Sequence, residues 1–178
     1  MRAQAAVLGL SVVIGGGLVG CVSGVGATPA SGFTGTTIAV GRFGPIDVKN
    51  HSFFPESAPW NSHPGRNLWL SMQNTQGPSD LYVQNNSWAP GGTTGWHTHP
   101  GHSLIIVTAG TVTTYDGHDP TCTPRTYSVG EGFVDAGGDH VHLIRNEGVV
   151  EARTVAVQLV PAGATRRIDA SGSPYCTF

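Results

Sequence analysis

The chain has 178 residues, 26 of them glycine and 12 proline, with 11% charged side chains and a net charge of -2. The length suits one domain, the glycine and proline content argues against long helices, and 39% hydrophobic residues argue against disorder. Nine lysines and arginines, with no basic run among them, leave no electrostatic footprint for nucleic acid.

The N-terminus reads as an export signal over residues 1–20. Met1-Arg2 supplies a positive charge, Ala5 to Val19 is apolar or small, and Ala27 and Ala30 are candidate small residues at a cleavage site. Leu18-Val19-Gly20-Cys21 also resembles a bacterial lipobox, which would make Cys21 a lipidated N-terminus. Both readings stay open. Each places the protein outside the cytoplasm, secreted or anchored at the cell surface, with membrane contact only through the signal or a lipid. Residues 21–32 read as a flexible tether, and residues 33–178 as a single domain.

Strand patterns follow at short intervals, with β-branched and aromatic residues between glycine and proline turns. Thr36–Val40 and Ile46–Val48 are the first two, and residues 51–67 are an irregular excursion rich in Pro, Ser, Asn and His. Leu68–Met72 and Leu81–Gln84 are short strands, Ser87–Ala89 begins another, and Pro90-Gly91-Gly92 is a turn. Next come His97-Thr98-His99, an apolar strand over Ser103–Thr108, a turn at Ala109-Gly110 and a strand over Thr111–Tyr115. Thr126–Val129, Phe133–Asp135, residues 140–146 and the alternating run Glu151–Val160 complete the set, and residues 161–178 read as a tail. No helical stripe of useful length appears after the signal segment. The expected fold class is all-β, a sandwich or barrel of the jelly-roll kind.

Two His-x-His pairs carry the chemistry. Residues i and i+2 of a strand share a face, so His97 with His99, and His140 with His142, can each aim two imidazoles at one point. Two such strands side by side would make a metal site. The stretch Gly95-Trp96-His97-Thr98-His99-Pro100-Gly101-His102-Ser103, followed by Gly110, resembles the first motif of the cupin superfamily. Gly130-Glu131-Gly132-Phe133-Val134 through His142-Leu143-Ile144-Arg145-Asn146 resembles the second. The resemblance covers about residues 68–160. It implies a double-stranded β-helix, the cupin jelly-roll barrel, in a small exported single-domain protein.

The resemblance further implies His97, His99 and His142 as metal ligands. It departs at Ser103, which stands where the family has a glutamate, and at the turn Asp135-Ala136-Gly137-Gly138-Asp139, which is longer than the family's. The carboxylate is therefore missing from the ligand set as read. His102 is a candidate replacement, Ser103 and His140 are candidates for a further ligand or for a partner behind the ligands, and Trp96 and Tyr115 for the ligand pocket. Three imidazoles suit Fe, Zn, Cu or Ni as a divalent ion.

Two functional classes follow. One is a metal-dependent enzyme, an oxygenase on a small organic molecule. The other is a non-catalytic module outside the cytoplasm that binds a small ligand or a metal. A structural jelly roll with no ligand is a third. Asp135, Asp139 and Glu131 are read as turn residues, which disfavours acid–base hydrolysis. An apolar interior (Ile105, Val107, Phe133, Leu143), with no arginine pair beside the histidines, favours a small hydrophobic ligand over a phosphate.

Among the remaining features, Cys122 and Cys176 are the pair left after export and are expected to form a disulfide. Trp60, Trp69 and Trp88 are expected in packing, and His51, His63 and His118 in loops. Gly15-x-Gly17-x-x-Gly20 lies in the signal segment and is not a nucleotide site. Pairing through edge strands into a homodimer is a further expectation.

Overall fold

The computed structural model describes residues 27–55, 57 and 67–178. The segment read as an export signal, Cys21, Trp60 and His63 lie outside the described residues. Twelve strands and no helix are present among those residues, and no helix long and apolar enough to cross a membrane is found there. The strands are β1 (Ser31–Phe43), β2 (Asp47–Phe53), β3 (Leu68–Asn74), β4 (Ser79–Thr93), β5 (His97–Thr98) and β6 (Ser103–Ala109). They continue with β7 (Thr111–Asp116), β8 (Arg125–Ser128), β9 (Gly132–Asp135), β10 (His142–Arg145), β11 (Ala152–Pro161) and β12 (Ile168–Asp169).

Ten of these join one antiparallel sheet that folds into two facing halves. One half runs β1-β4-β11-β6-β9 and the other β12-β5-β10-β7-β8, joined where Arg145 of β10 meets Thr93 of β4. From β4 onward the chain passes back and forth between the halves, with only β7 and β8 consecutive in one of them. That winding makes a double-stranded β-helix, and it explains the short strands: each is a rung that ends where the chain crosses over. Trp88, Ile105, Val107, Val112, Ile144, Ala152 and Ala156 fill the space between the halves. They are the inward members of the alternating strands, as the period of two requires.

Several expectations change. Leu81–Gln84 and Ser87–Ala89 are one strand, and Pro90-Gly91-Gly92 is a bend inside it, with Gly91 at φ 76°. Asn146 fastens this bend: its N–H donates to Gly92 O, and Gly91 N–H donates to its carbonyl. Residues 68–74 pair with β2 in a separate hairpin, so His51 is in a strand, and the barrel is built from β1 and from Ser79 onward. The end of the expected tether is docked. Gly32 is in β1, Ala27 bridges Ser171, and Thr28 Oγ1 accepts the Trp96 N–H at 2.7 Å. The expected tail contributes β12, which pairs with β5.

Cys122 and Cys176 form the disulfide, with their Cα atoms 5.4 Å apart. It pins the C-terminus over the outer side of the half that contains β5, β7 and β10. There Trp96, Tyr115, Leu143 and Cys176 make a second small core. Phe178 lies parallel to Trp96 at 6.4 Å and under the Arg145 guanidinium at 4.5 Å.

Two measurements test these supports. Asn146 is fully buried, donates through Nδ2 to Trp88 O and Val150 O, and accepts from Gly148 N–H. Asn146→Ala should cost on the order of 2–4 kcal/mol in urea unfolding, because it strands buried carbonyls. The disulfide closes a loop with a sequence separation of 54. Cys122→Ser/Cys176→Ser should lose about 4 kcal/mol in the chain-entropy model, read as a fall in the unfolding midpoint.

Candidate metal centre

The ladder between β5 and β10 places His97 opposite His142. His99 lies just past the end of β5, so its approach comes from the turn after the strand and not from strand parity. The three rings nevertheless converge, with centroids 4.3 Å apart for His97 and His142, 4.8 Å for His97 and His99, and 5.5 Å for His99 and His142. One nitrogen from each ring falls in a set whose members lie within 4.8 Å of one another. These three residues could hold a metal ion.

Each ring is held by an oxygen acceptor at Nδ1. His97 Nδ1 is 2.9 Å from Gly95 O, and His99 Nδ1 is 2.5 Å from Arg166 O. His142 Nδ1 faces His140 O at 3.5 Å and Asp135 Oδ1 at 3.4 Å. An acceptor at Nδ1 selects the Nδ1–H tautomer and leaves the Nε2 lone pair available to a metal. His142 Nε2 is buried and has no hydrogen-bond partner. A buried nitrogen without a partner is costly unless something fills the place, so the donor set fits a cation that prefers imidazole.

Burial also favours the neutral form of His97 and His142. It pushes the His97 imidazole down to about 2, helped by repulsion from His142, Arg167 and His99. Burial likewise lowers His142, against the attraction of Asp135. Neutral rings are the form that binds metal.

The cavity in front of the rings has a volume of about 240 Å³. Phe33, Trp88, Ile105, Ile144 and Ala156 form its apolar wall, while Gln84, Asn86, Ser103 and Gln158 add polar groups. Val107 packs in the core instead, Phe133 stacks on Tyr127, and Leu143 belongs to the second core. An arginine pair does stand here, contrary to expectation: Arg166 and Arg167 both line the cavity. Arg166 donates to Gln158, Thr37 and Gln84 and lies 4.0 Å over the Tyr82 ring, bridging the C-terminal segment to three strands. Arg167 donates to Thr94 O. Both arginines are about seventy positions from the first histidine pair, so no local signal announced them.

Other candidates are placed elsewhere. Trp96 is buried on the opposite side of the sheet from His97, as adjacent strand residues must be. Tyr115 is paired with Leu143 on that same side and donates to Glu147 at 2.7 Å. Burial and this bond push its hydroxyl up to about 12, so it is no base for the centre. His102 lines a separate outer pocket with Pro100, Gly101 and Leu159. His140, just before β10, stays near the centre: its Nε2 is 3.2 Å from Asp116, and with Asp135 and His142 it forms a second group that could hold a metal ion. Ser103 does face the cavity, and beside it is Asp135, which ends strand β9 and is not a turn residue.

The depressed histidines make a pH prediction. An unfolded histidine titrates near 6.5, so between pH 6.5 and about 4 the unfolded chain binds more protons than the folded one. Stability of metal-stripped protein should be complete above pH 6.5 and decline as pH falls through this window. Asp80, lowered from 3.8 to about 2 by its bonds to Arg42, adds its own loss only below that window. Thermal unfolding from pH 7 to 4 should show the decline, and His97→Gln/His142→Gln should flatten it; an equal slope in both proteins would assign the acid sensitivity to other groups.

No family model matches the chain, and no curated protein is a significant match. Similar solved structures include a protein with a double-stranded β-helix domain from Klebsiella pneumoniae (22% identity, 52% of this chain and 74% of that one, TM-score 0.41). A cupin superfamily protein from Desulfitobacterium hafniense is 12% identical over 51% of this chain and 73% of its own, with a TM-score of 0.39. A recombinant oxalate oxidase in complex with glycolate is 25% identical over 73% of this chain and 55% of its own, with a TM-score of 0.42. The chain spans about half the length of the oxalate oxidases it matches. By its own strand winding, with His97 and His142 paired across β5 and β10, the chain is a double-stranded β-helix.

Proposed function

We propose that the protein is a metal-binding cupin that holds one divalent transition metal through His97, His99 and His142 and acts on a small organic molecule. The observation that carries this reading is the convergence of three imidazoles beside a cavity, one nitrogen of each within 4.8 Å of the others, with each Nδ1 facing an oxygen acceptor. Fe, Zn, Cu and Ni all accept such a set. When bound, the metal would supply Lewis acidity, and as iron it would supply oxygen chemistry.

The chain's own residues do the rest. Gly95 O and Arg166 O aim two of the rings, and the apolar wall of Phe33, Trp88 and Ile105 limits water. Arg166 and Arg167 make the polar side of the cavity cationic, which suits a small organic anion such as a carboxylate. About 240 Å³ admits a molecule of that size and excludes a polymer. A non-catalytic binding module is the second reading, favoured by the placement of Tyr115, which directs its hydroxyl to Glu147 and away from the cavity. In either case the disulfide suits export, and the N-terminal segment, read as an export signal, would make the protein secreted or surface-held.

Elemental analysis of protein purified without chelator tests the proposal. Close to one Fe, Zn, Cu or Ni per chain is expected, with loss in His97→Ala/His99→Ala. Absence of metal from the parent protein, even after reconstitution, would overturn it.

A further inference from the structure

Resting on the metal reading above, we propose that Asp135 is the carboxylate of this centre. It reaches the site from the neighbouring strand β9 and takes the place that Ser103 leaves without an acid. Ser103 of β6 and Asp135 of β9 are direct ladder partners, so their side chains rise from the sheet side by side on the inner face. Both are almost fully buried, at 3% and 4% exposure, and both line the cavity in front of the histidines. A serine is too short to reach a metal that a glutamate would reach. The vacated space is occupied by the carboxylate of its cross-strand partner, with Ser103 Oγ 3.4 Å from Asp135 Oδ2.

The geometry around that oxygen points to a cation. Asp135 Oδ2 lies 3.3 Å from His99 Nε2. His99 Nδ1 is committed to Arg166 O, so Nε2 is the ring nitrogen that faces the carboxylate. Two ligands each about 2.1 Å from one ion are about 3.0 Å apart at right angles and about 3.4 Å apart at tetrahedral angles. The observed separation falls in that interval.

The second carboxylate oxygen is used for positioning. Oδ1 accepts the Gly137 N–H at 3.0 Å and lies 3.4 Å from His142 Nδ1. Gly137 adopts φ 67°, and a Cβ there would come within 2.2 Å of Gly101 O, so this turn admits only glycine. The long turn after Asp135 therefore has a purpose: it lays a backbone N–H against one oxygen and directs the other at the histidines. The resulting set is three imidazoles and one carboxylate, which lowers the net charge of a divalent ion by one and suits metals that accept mixed nitrogen and oxygen donors.

Cobalt(II) titration of the full protein tests this, with affinity from chelator competition and the visible d–d absorption as readouts. Parent protein, Asp135→Asn and Asp135→Ala/Ser103→Glu are compared. Asp135→Asn should weaken cobalt binding by about 100-fold or more, beyond the loss typical of an outer partner alone, and should change the absorption. Asp135→Ala/Ser103→Glu should recover both. Equal affinity and equal absorption in parent and Asp135→Asn would overturn the proposal while leaving the three-histidine centre standing. No cobalt binding by the parent would overturn the centre itself. Should Asp135→Asn fail to fold, infrared difference spectra of the parent labelled with ¹³C-carboxyl aspartate decide the matter. Metal addition should shift a labelled carboxylate stretch, and an unshifted band would overturn the assignment.

Discussion

The pairing of His97 with His142 between β5 and β10 is the contact on which the rest of the centre depends. Strand β5 is only two residues long, too short to hold its own register. It is clamped on both edges, by β10 through His142 and by β12 through Ile168 and Asp169. Thr94 extends the hold, donating its N–H to Ile144 O and accepting the Ile144 N–H through Oγ1. A shift of one residue in this ladder would exchange His97 for Trp96 or Thr98 at the cavity.

Three imidazoles with one nitrogen of each within 4.8 Å of the others are unfavourable without a cation between them. Burial and mutual repulsion hold two of them neutral, and that is a cost set against the apolar packing between the sheet halves. The chain offsets it on the other side of the histidine-bearing half. There the disulfide, Phe178 and the small core around Trp96 fix the strands from outside, so the inner face can be given to chemistry. The two sides of one half thus have separate tasks, divided by strand parity: His97 and His142 inward, Trp96, Tyr115 and Leu143 outward.

The C-terminal segment joins these tasks. Arg166 orients His99 through its carbonyl and spans Gln158, Gln84 and Thr37 with its guanidinium. Arg167 and Asp169 lie beside β5, and Cys176 fastens the end of the chain. Residues that look like a trailing tail in one dimension therefore form one wall of the cavity. Departure from the fold at this segment would loosen His99 before it touched the core.

The sequence alone determined the all-β class, the period-two strands, the disulfide pair and the three converging histidines. Each of these depends on local alternation, on residue chemistry or on a motif a few residues long. It also showed that the motif position at Ser103 holds no acid. The tertiary structure alone decided what fills that place. Asp135 meets Ser103 through a ladder contact 32 positions away, and register across such a separation depends on turn conformations that residue order leaves open. The same holds for Arg166 and Arg167, for the single long strand through Gly91, and for the outward turn of Trp96 and Tyr115. Where function rests on neighbours along the chain it was legible; where it rests on neighbours across the barrel, only folding brought the groups together.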